Sequence, residues 1–225
     1  VPLNGATAPR QQVHLLRTST GRLLTIGSTG AIHRLEDESP VALGTAGSAP
    51  YHPTGTMPTE RHLLFLLRTV ARKGWSDVRT CAQDSVMWLM LQDRRLTWWK
   101  DTVMAGAIEL PVQPSALFAL PSGGHVVHPD GPITRFDPAS GTLRPVALDP
   151  VPPPGGRWFE QPGKPFVLHL VDDHVRIYRD DPSGTTPMLR GSAIDVTLPP
   201  RADITQLLFD EVAAVLATST VTQGL

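Results

Sequence analysis

The sequence predicts an all-β chain: a β-propeller or partial propeller of about four to five four-stranded blades, with one long insertion after the first. Three observations carry that expectation. Apolar or alternating runs of roughly five to seven residues recur along the chain, bounded by Gly, Ser, Thr, Asp or Pro, as short antiparallel strands require. The 23 prolines and 19 glycines follow no fixed period, which supplies many turns and excludes a collagen-like chain. Finally, a frame repeats: a turn residue, an apolar residue three positions on, and a large apolar or aromatic residue six positions on.

Taken in order, residues 1–12 are a polar, Pro-containing lead-in, and "VHLLRT", "GRLLTIG", "AIHRLED" and "ESPVALG" read as the first four strands. Residues 44–74 read as an insertion. It opens with the low-complexity loop "GTAGSAPYHPTGTMPT" and continues as "ERHLLFLLRTVARKG". The second part has two readings. Thr59 suits a helix cap, Arg72 and Lys73 its last turn, and Gly74 its end. "HLLFLL" equally suits a buried strand, and a run this short does not discriminate. Next, "DSVMWLMLQDRRLTWWKD" reads as strand, turn, strand, and "AGAIELPV" as a further strand. "SALFALPSGGHVVHPDGPITRFDPASGTLRPVAL" gives four short strands, and "DPVPPPGGRW" a stiff linker. "KPFVLHLVDDHVRIYRDD", "TTPMLR" and "AIDVTL" form another set, before "ITQLLFDEVAAVLATSTVTQGL".

The frame is clearest at Asp130, Ile133 and Phe136 in "DGPITRFDPASG". It recurs at Thr29, Ile32, Leu35; at Asp93, Leu96, Trp99; and at Asp172, Val175, Tyr178. A weak fifth copy begins at Thr218. Each unit holds about four short strands over roughly 40 residues, the size of a propeller blade. A sheet this small cannot bury both faces alone, whereas blades stacked around an axis can. The stretch resembles the repeats of quinoprotein-type and streptogramin-lyase-like propellers, and more loosely those of WD-repeat proteins, although no Trp-Asp pair closes a unit. The resemblance implies a fold. Streptogramin-lyase-like enzymes use His and Glu in the axial channel, and no matching Glu is seen here, so that activity is not implied. The whole chain, 1–225, reads as one propeller-like domain or an incomplete ring, and an open ring would expose a sheet edge for a partner.

Composition narrows the function. Twenty Lys and Arg balance 21 Asp and Glu, so neither a nucleic-acid surface nor an acidic tail is indicated. One cysteine, Cys81, excludes an internal disulfide and a multi-Cys zinc site, and fits an intracellular setting, cytoplasmic or nuclear. No apolar run is long enough to span a membrane. No phosphate-binding or other cofactor motif is found: "PSGG" and "PPPGG" lack the Lys and the following helix.

The chemistry-bearing residues are few. "HVVHPD" contains His125 and His128, which alternate to opposite faces of a strand and so do not converge on a metal. "HLVDDH" contains Asp172 and His174 at an expected hairpin turn, where Asp serves the backbone. If turns of several units met at one end of the axis, these four residues would be the axial candidates. Trp98 and Trp99 face opposite ways in a strand, one toward the core and the other a contact or inter-blade filler. The inserted His62, Leu63, Leu64 and Phe65, together with these two tryptophans, are the candidate partner contacts. The expectation is therefore a noncatalytic protein-interaction module, a subunit of a larger assembly. Two alternatives stand beside it: a propeller enzyme of the lyase or hydrolase type, and a glycan binder.

Overall fold

A computed structural model describes residues 13–18, 23–27, 31–36, 39–45, 54–73, 78–161, 164–172, 174–181, 186–194, 204–211 and 215–220. Four antiparallel meanders follow one another. Blade 1 is β1 (Val13–Thr18), β2 (Leu23–Gly27), β3 (Ala31–Glu36) and β4 (Ser39–Thr45). A strand β5 (Thr54–Met57) and a helix α1 (Glu60–Lys73) come next. Blade 2 is β6 (Val78–Ala82), β7 (Met87–Gln92), β8 (Arg95–Lys100) and β9 (Val103–Glu109). Blade 3 is β10 (Ala116–Leu120), β11 (Gly123–Val127), β12 (Ile133–Asp137) and β13 (Thr142–Asp149). Blade 4 is β14 (Arg157–Glu160), β15 (Phe166–Val171), β16 (His174–Asp180) and β17 (Met188–Ile194). The pair β18 (Ile204–Asp210) and β19 (Val215–Thr220) starts a further sheet.

The first strands of successive blades line up side by side. β1 and β6 each pair in parallel with β5, β6 lies against β10, β10 against β14, and β14 against β18. This is the propeller arrangement, with first strands at the centre and fourth strands outside. Side-chain alternation explains why it is stable. Along β10, Leu117 and Ala119 pack against blade 2, while Phe118 and Leu120 pack against blade 4. Along β15, Val167 faces blade 3, and Phe166, Leu168 and Leu170 face β18. A period of two thus feeds two interfaces at once, and each central blade buries both faces.

The repeated frame is the hairpin between second and third strands of each blade. Asp93 and Asp172 adopt positive φ (51° and 52°) in two-residue turns, the left-handed conformation that Asp tolerates. The residue three on points to the next blade: Leu96 into the blade 2–3 core, Ile133 into the blade 3–4 core, Val175 toward β18. The residue six on points to what precedes: Phe136 to blade 2, Tyr178 to blade 3, Trp99 to α1. An odd separation in a strand reverses the face, so one frame supplies a plug to each neighbouring interface. The copy at Thr29 falls partly outside the described residues, as does the weak copy that begins at Thr218.

Residues 60–73 are a helix, which removes the strand reading of "HLLFLL". Leu63, Leu66, Leu67 and Val70 are buried at the i, i+3, i+4, i+7 spacing of one helical face. Arg61, Arg68, Arg72 and Lys73 stay exposed. The buried face covers Val78, Trp88 and Met90, the side of blade 2 turned away from blade 3. Four further elements differ from the sequence expectation. β5 lies within the stretch that reads as a low-complexity loop, β6 and β14 fall outside the expected strands, the second because "RW" reads as linker, and "TTPMLR" and "AIDVTL" contribute to one strand, β17.

Candidate functional site

Two places on the described surface combine open chemistry with a defined shape. One is the outer edge of blade 2. The other is a cleft between blades 3 and 4.

The outer edge is β9, "VMAGAIE", which ends its sheet. The other outer strands are blunted. β13 and β17 pair in parallel with each other (Ala147↔Met188, Leu148↔Leu189, Asp149↔Arg190), and β4 carries Pro40. β9 has neither a proline nor, from Val103 to Ile108, a charge. Val103 is 69% exposed and Met104 48%. Val86, also exposed, adjoins them, because its carbonyl accepts a hydrogen bond from the Asp101 N–H at the start of the β8–β9 turn. Trp98 pairs with Gly106 and Trp99 with Met104, so Ala105 bulges and divides the edge into two arms.

The six expected partner contacts lie mostly inside. His62 and Leu63 are buried, and Leu64 and Phe65 are half-buried against blade 2. His62 Nδ1 is 2.8 Å from Thr59 Oγ1 and its Nε2 is 3.0 Å from Asp101 Oδ1. Trp99 stacks on Trp88 at 5.3 Å and meets the Phe65 ring edge-on at 5.6 Å. Trp98 packs on Phe136 across the blade 2–3 interface, and its ring fills the space where a Cβ on Gly106 would stand. The tryptophans do face opposite ways, and both are half-buried. Residue burial thus moves the accessible apolar surface from these residues to the neighbouring Val103 and Met104.

The cleft has a volume of about 510 Å³. Its polar end is set by blade 3, where His125 on β11 and Arg135 on β12 are cross-strand partners. Val126 and Phe136 face blade 2, so His125 and Arg135 both face blade 4. Asp180, at the end of β16, comes from the opposite wall and accepts hydrogen bonds from Ser122 N (2.8 Å) and Ser122 Oγ (2.6 Å). Pro121, Val146, Pro165, Pro187 and Met188 supply the apolar lining. His125 is 1% exposed and stacks on Phe118 at 5.4 Å. Burial pushes its pKa down to about 4 despite the opposing influence of the Asp180 carboxylate. Its Nδ1 lies 2.9 Å from the Gly123 carbonyl, and its Nε2 is buried with no partner among the described residues.

The remaining axial candidates stand elsewhere. His128 follows β11 and shares a hydrogen bond with Thr134 Oγ1 (3.0 Å), and partial burial lowers its pKa. Asp172 forms the β15–β16 turn and His174 opens β16, both exposed. These three occupy hairpins between second and third strands, the end of the blades opposite the cleft. The fold therefore groups His125 with Arg135 and Asp180, not with His128, Asp172 or His174. Arg135 and Asp180 have no signal in the sequence: cross-strand pairing makes the first a neighbour of His125, and blade stacking the second. Among the described residues, no group of three or more His, Cys, Asp or Glu is placed to hold a metal ion. No described helix is long and apolar enough to cross a membrane. Burial pushes the Cys81 thiol well above its ordinary range.

No protein-family profile and no curated protein matches this chain. Among solved structures it is similar to BBS1N in complex with ARL6DN, at 13% identity and a TM-score of 0.40 over 93% of this chain and 59% of that one. It is similar to Myxococcus xanthus glutaminyl cyclase at 13% identity and a TM-score of 0.41, over 94% of this chain and 89% of that one. It is also similar to Kluyveromyces lactis Hsv2 at 8% identity and a TM-score of 0.48, over 93% of this chain and 57% of that one. This chain thus spans less than two thirds of the BBS1N and Hsv2 chains. The fold assignment rests on the strand order and register above.

Proposed function

We propose that this chain is a noncatalytic interaction module of a larger protein assembly, and that an extended segment of another subunit adds to β9 as a further strand. One observation carries the reading: β9 is a Pro-free outer edge, uncharged from Val103 to Ile108, with Val103, Met104 and the neighbouring Val86 exposed. Edge N–H and C=O groups give a partner strand its affinity, and flanking apolar side chains give it a register. The near-zero net charge suits a partner recognised by backbone and apolar contact more than by steering.

The test pairs capture from the native source with amide exchange. A protein captured by the wild-type chain, once purified, is added back, and exchange is followed by peptide. Slowed exchange over residues 103–109, with capture reduced roughly tenfold or more by the double substitution Val103→Lys, Met104→Lys, is the expected result. Capture that survives both lysines, or protection confined to other segments, overturns the proposal. A wild-type homodimer abolished by the lysines would replace the different subunit with a second copy.

A further inference from the structure

The second place on the surface is independent of the β9 edge. A buried acceptor, a cation and an anion line one cleft together with Pro, Val and Met side chains, and each can be assigned a role.

The Gly123 carbonyl can only accept, so His125 Nδ1 carries the ring hydrogen that points to it. With the ring neutral, Nε2 is a bare acceptor, buried and without a partner. Such an atom calls for a donor, and the described residues provide none. The two arginines that line the cleft differ. Arg179 is held by Glu211, whereas the Arg135 side chain makes no hydrogen bond or ion pair among the described residues. Asp180 keeps acceptor capacity beyond the two bonds from Ser122, since a carboxylate offers about four lone-pair sites. The other carboxylate of the cleft, Asp181, is paired with Arg190 at 2.5 Å. One open cation therefore faces two acceptors, one of them anionic, and the rest of the wall combines Pro, Val and Met with Ser122, Thr186 and the paired Arg179 and Asp181.

We propose that this cleft binds a free α-amino acid with an apolar side chain: its carboxylate on Arg135, its ammonium shared between His125 Nε2 and Asp180, and its side chain against Val146, Pro187 and Met188. A zwitterion matches the paired charges of the site, whereas a simple anion would meet Asp180 and a simple amine would meet Arg135. The ammonium's three donors suit acceptors on two walls. The volume exceeds the need of a small amino acid and leaves room for a branched side chain.

The probes are L-leucine, 4-methylpentanoate, which lacks the ammonium, and isoamylamine, which lacks the carboxylate. Nitrogen-15 NMR of the histidine rings reads Nε2 of His125 directly. We expect L-leucine at millimolar concentrations to shift that resonance saturably, and each single-charge analogue to bind roughly tenfold more weakly or worse. Arg135→Gln and Asp180→Asn should each weaken L-leucine by a similar factor, with folding checked by circular dichroism. Arg135 is half-exposed, so its replacement should leave the blades intact. No saturable response to L-leucine, equal binding of the analogues, or indifference to Arg135→Gln overturns the assignment.

Discussion

The two inter-blade interfaces on either side of blade 3 are built from different chemistry. Between blades 2 and 3, Leu89, Leu91, Leu96, Leu110, Leu117, Val126 and Phe136 form a largely aliphatic seam, with Cys81 buried among them. Between blades 3 and 4, rings predominate: Phe118 stacks on His125 and Trp158, and Trp158 leans on His169 and Tyr178. Aliphatic side chains interdigitate and leave no polar remainder. Rings with nitrogen atoms pack at fixed distances and leave acceptors to be satisfied, and it is here that the cleft with an unpartnered His125 Nε2 is found. The same architecture therefore yields an aliphatic seam on one side of blade 3 and, on the other, a ring-rich interface with a cleft.

The most severe way to break this contrast is to empty the aliphatic side. Phe136 is 1% exposed and is the six-on residue of its frame. Phe136→Ala should destabilise by about 3–5 kcal/mol, because it leaves a cavity that the surrounding strands cannot refill. The matching position across blade 3 is Tyr178, whose hydroxyl donates to the Pro150 carbonyl at 2.8 Å. Tyr178→Phe keeps the ring and should lose only about 1 kcal/mol. Urea denaturation of both variants makes the measurement. Equal losses would mean that the frame's aromatic ring is not what holds blade 3 to blade 2.

A subtler probe is acid. Burial lowers the pKa of His125 and His169 to about 4 from the ordinary 6.5; neighbouring Arg135 pushes the first further down, and Arg176 the second. Above 6.5 the rings are neutral both folded and unfolded and contribute no pH dependence. Between 6.5 and 4 the unfolded chain binds protons that the folded rings refuse, so stability falls as pH falls, by up to about 1.4 kcal/mol per pH unit for each ring. Below 4 the folded rings protonate too, and their contribution levels off. Cys81, the buried titratable group of the aliphatic seam, carries no charge anywhere in this range. Ring titrations followed by NMR would expose the opposite case: midpoints near 6.5 would mean that the aromatic interface is wet.

The sequence announced the repeat but not the innermost strands, for a physical reason. The hairpin frame is legible because turn residues and two oppositely facing apolar residues sit within seven positions. β6 and β14 lie at the ring centre and are only five and four residues long, and "VRTCA" and "RWFE" show no clean alternation. α1 was ambiguous within "HLLFLL" alone. Widening the window to Val70, with arginines at 61, 68 and 72, makes the helical period visible. The cleft was out of reach, because His125 and Arg135 meet through register and Asp180 arrives only when blade 4 stacks on blade 3.

The mildest test concerns how blade 2 is closed on its other face, where α1 stands in place of aliphatic strands. Asp101, at a positive-φ turn between β8 and β9, joins the helix to the blade. Its carboxylate lies 3.2 Å from Arg61 Nη2 and 3.0 Å from His62 Nε2, and its carbonyl accepts from Trp88 Nε1 at 2.8 Å. Asp101→Ala removes the side-chain links and keeps the backbone one. The carboxylate is 40% exposed and Arg61 74%, so solvent screens the ion pair and the loss should be about 1 kcal/mol or below. Amide exchange should then quicken over residues 60–73 while blades 3 and 4 keep their rates. Uniform quickening across every blade would mean that α1 is as integral to the ring as an aliphatic seam.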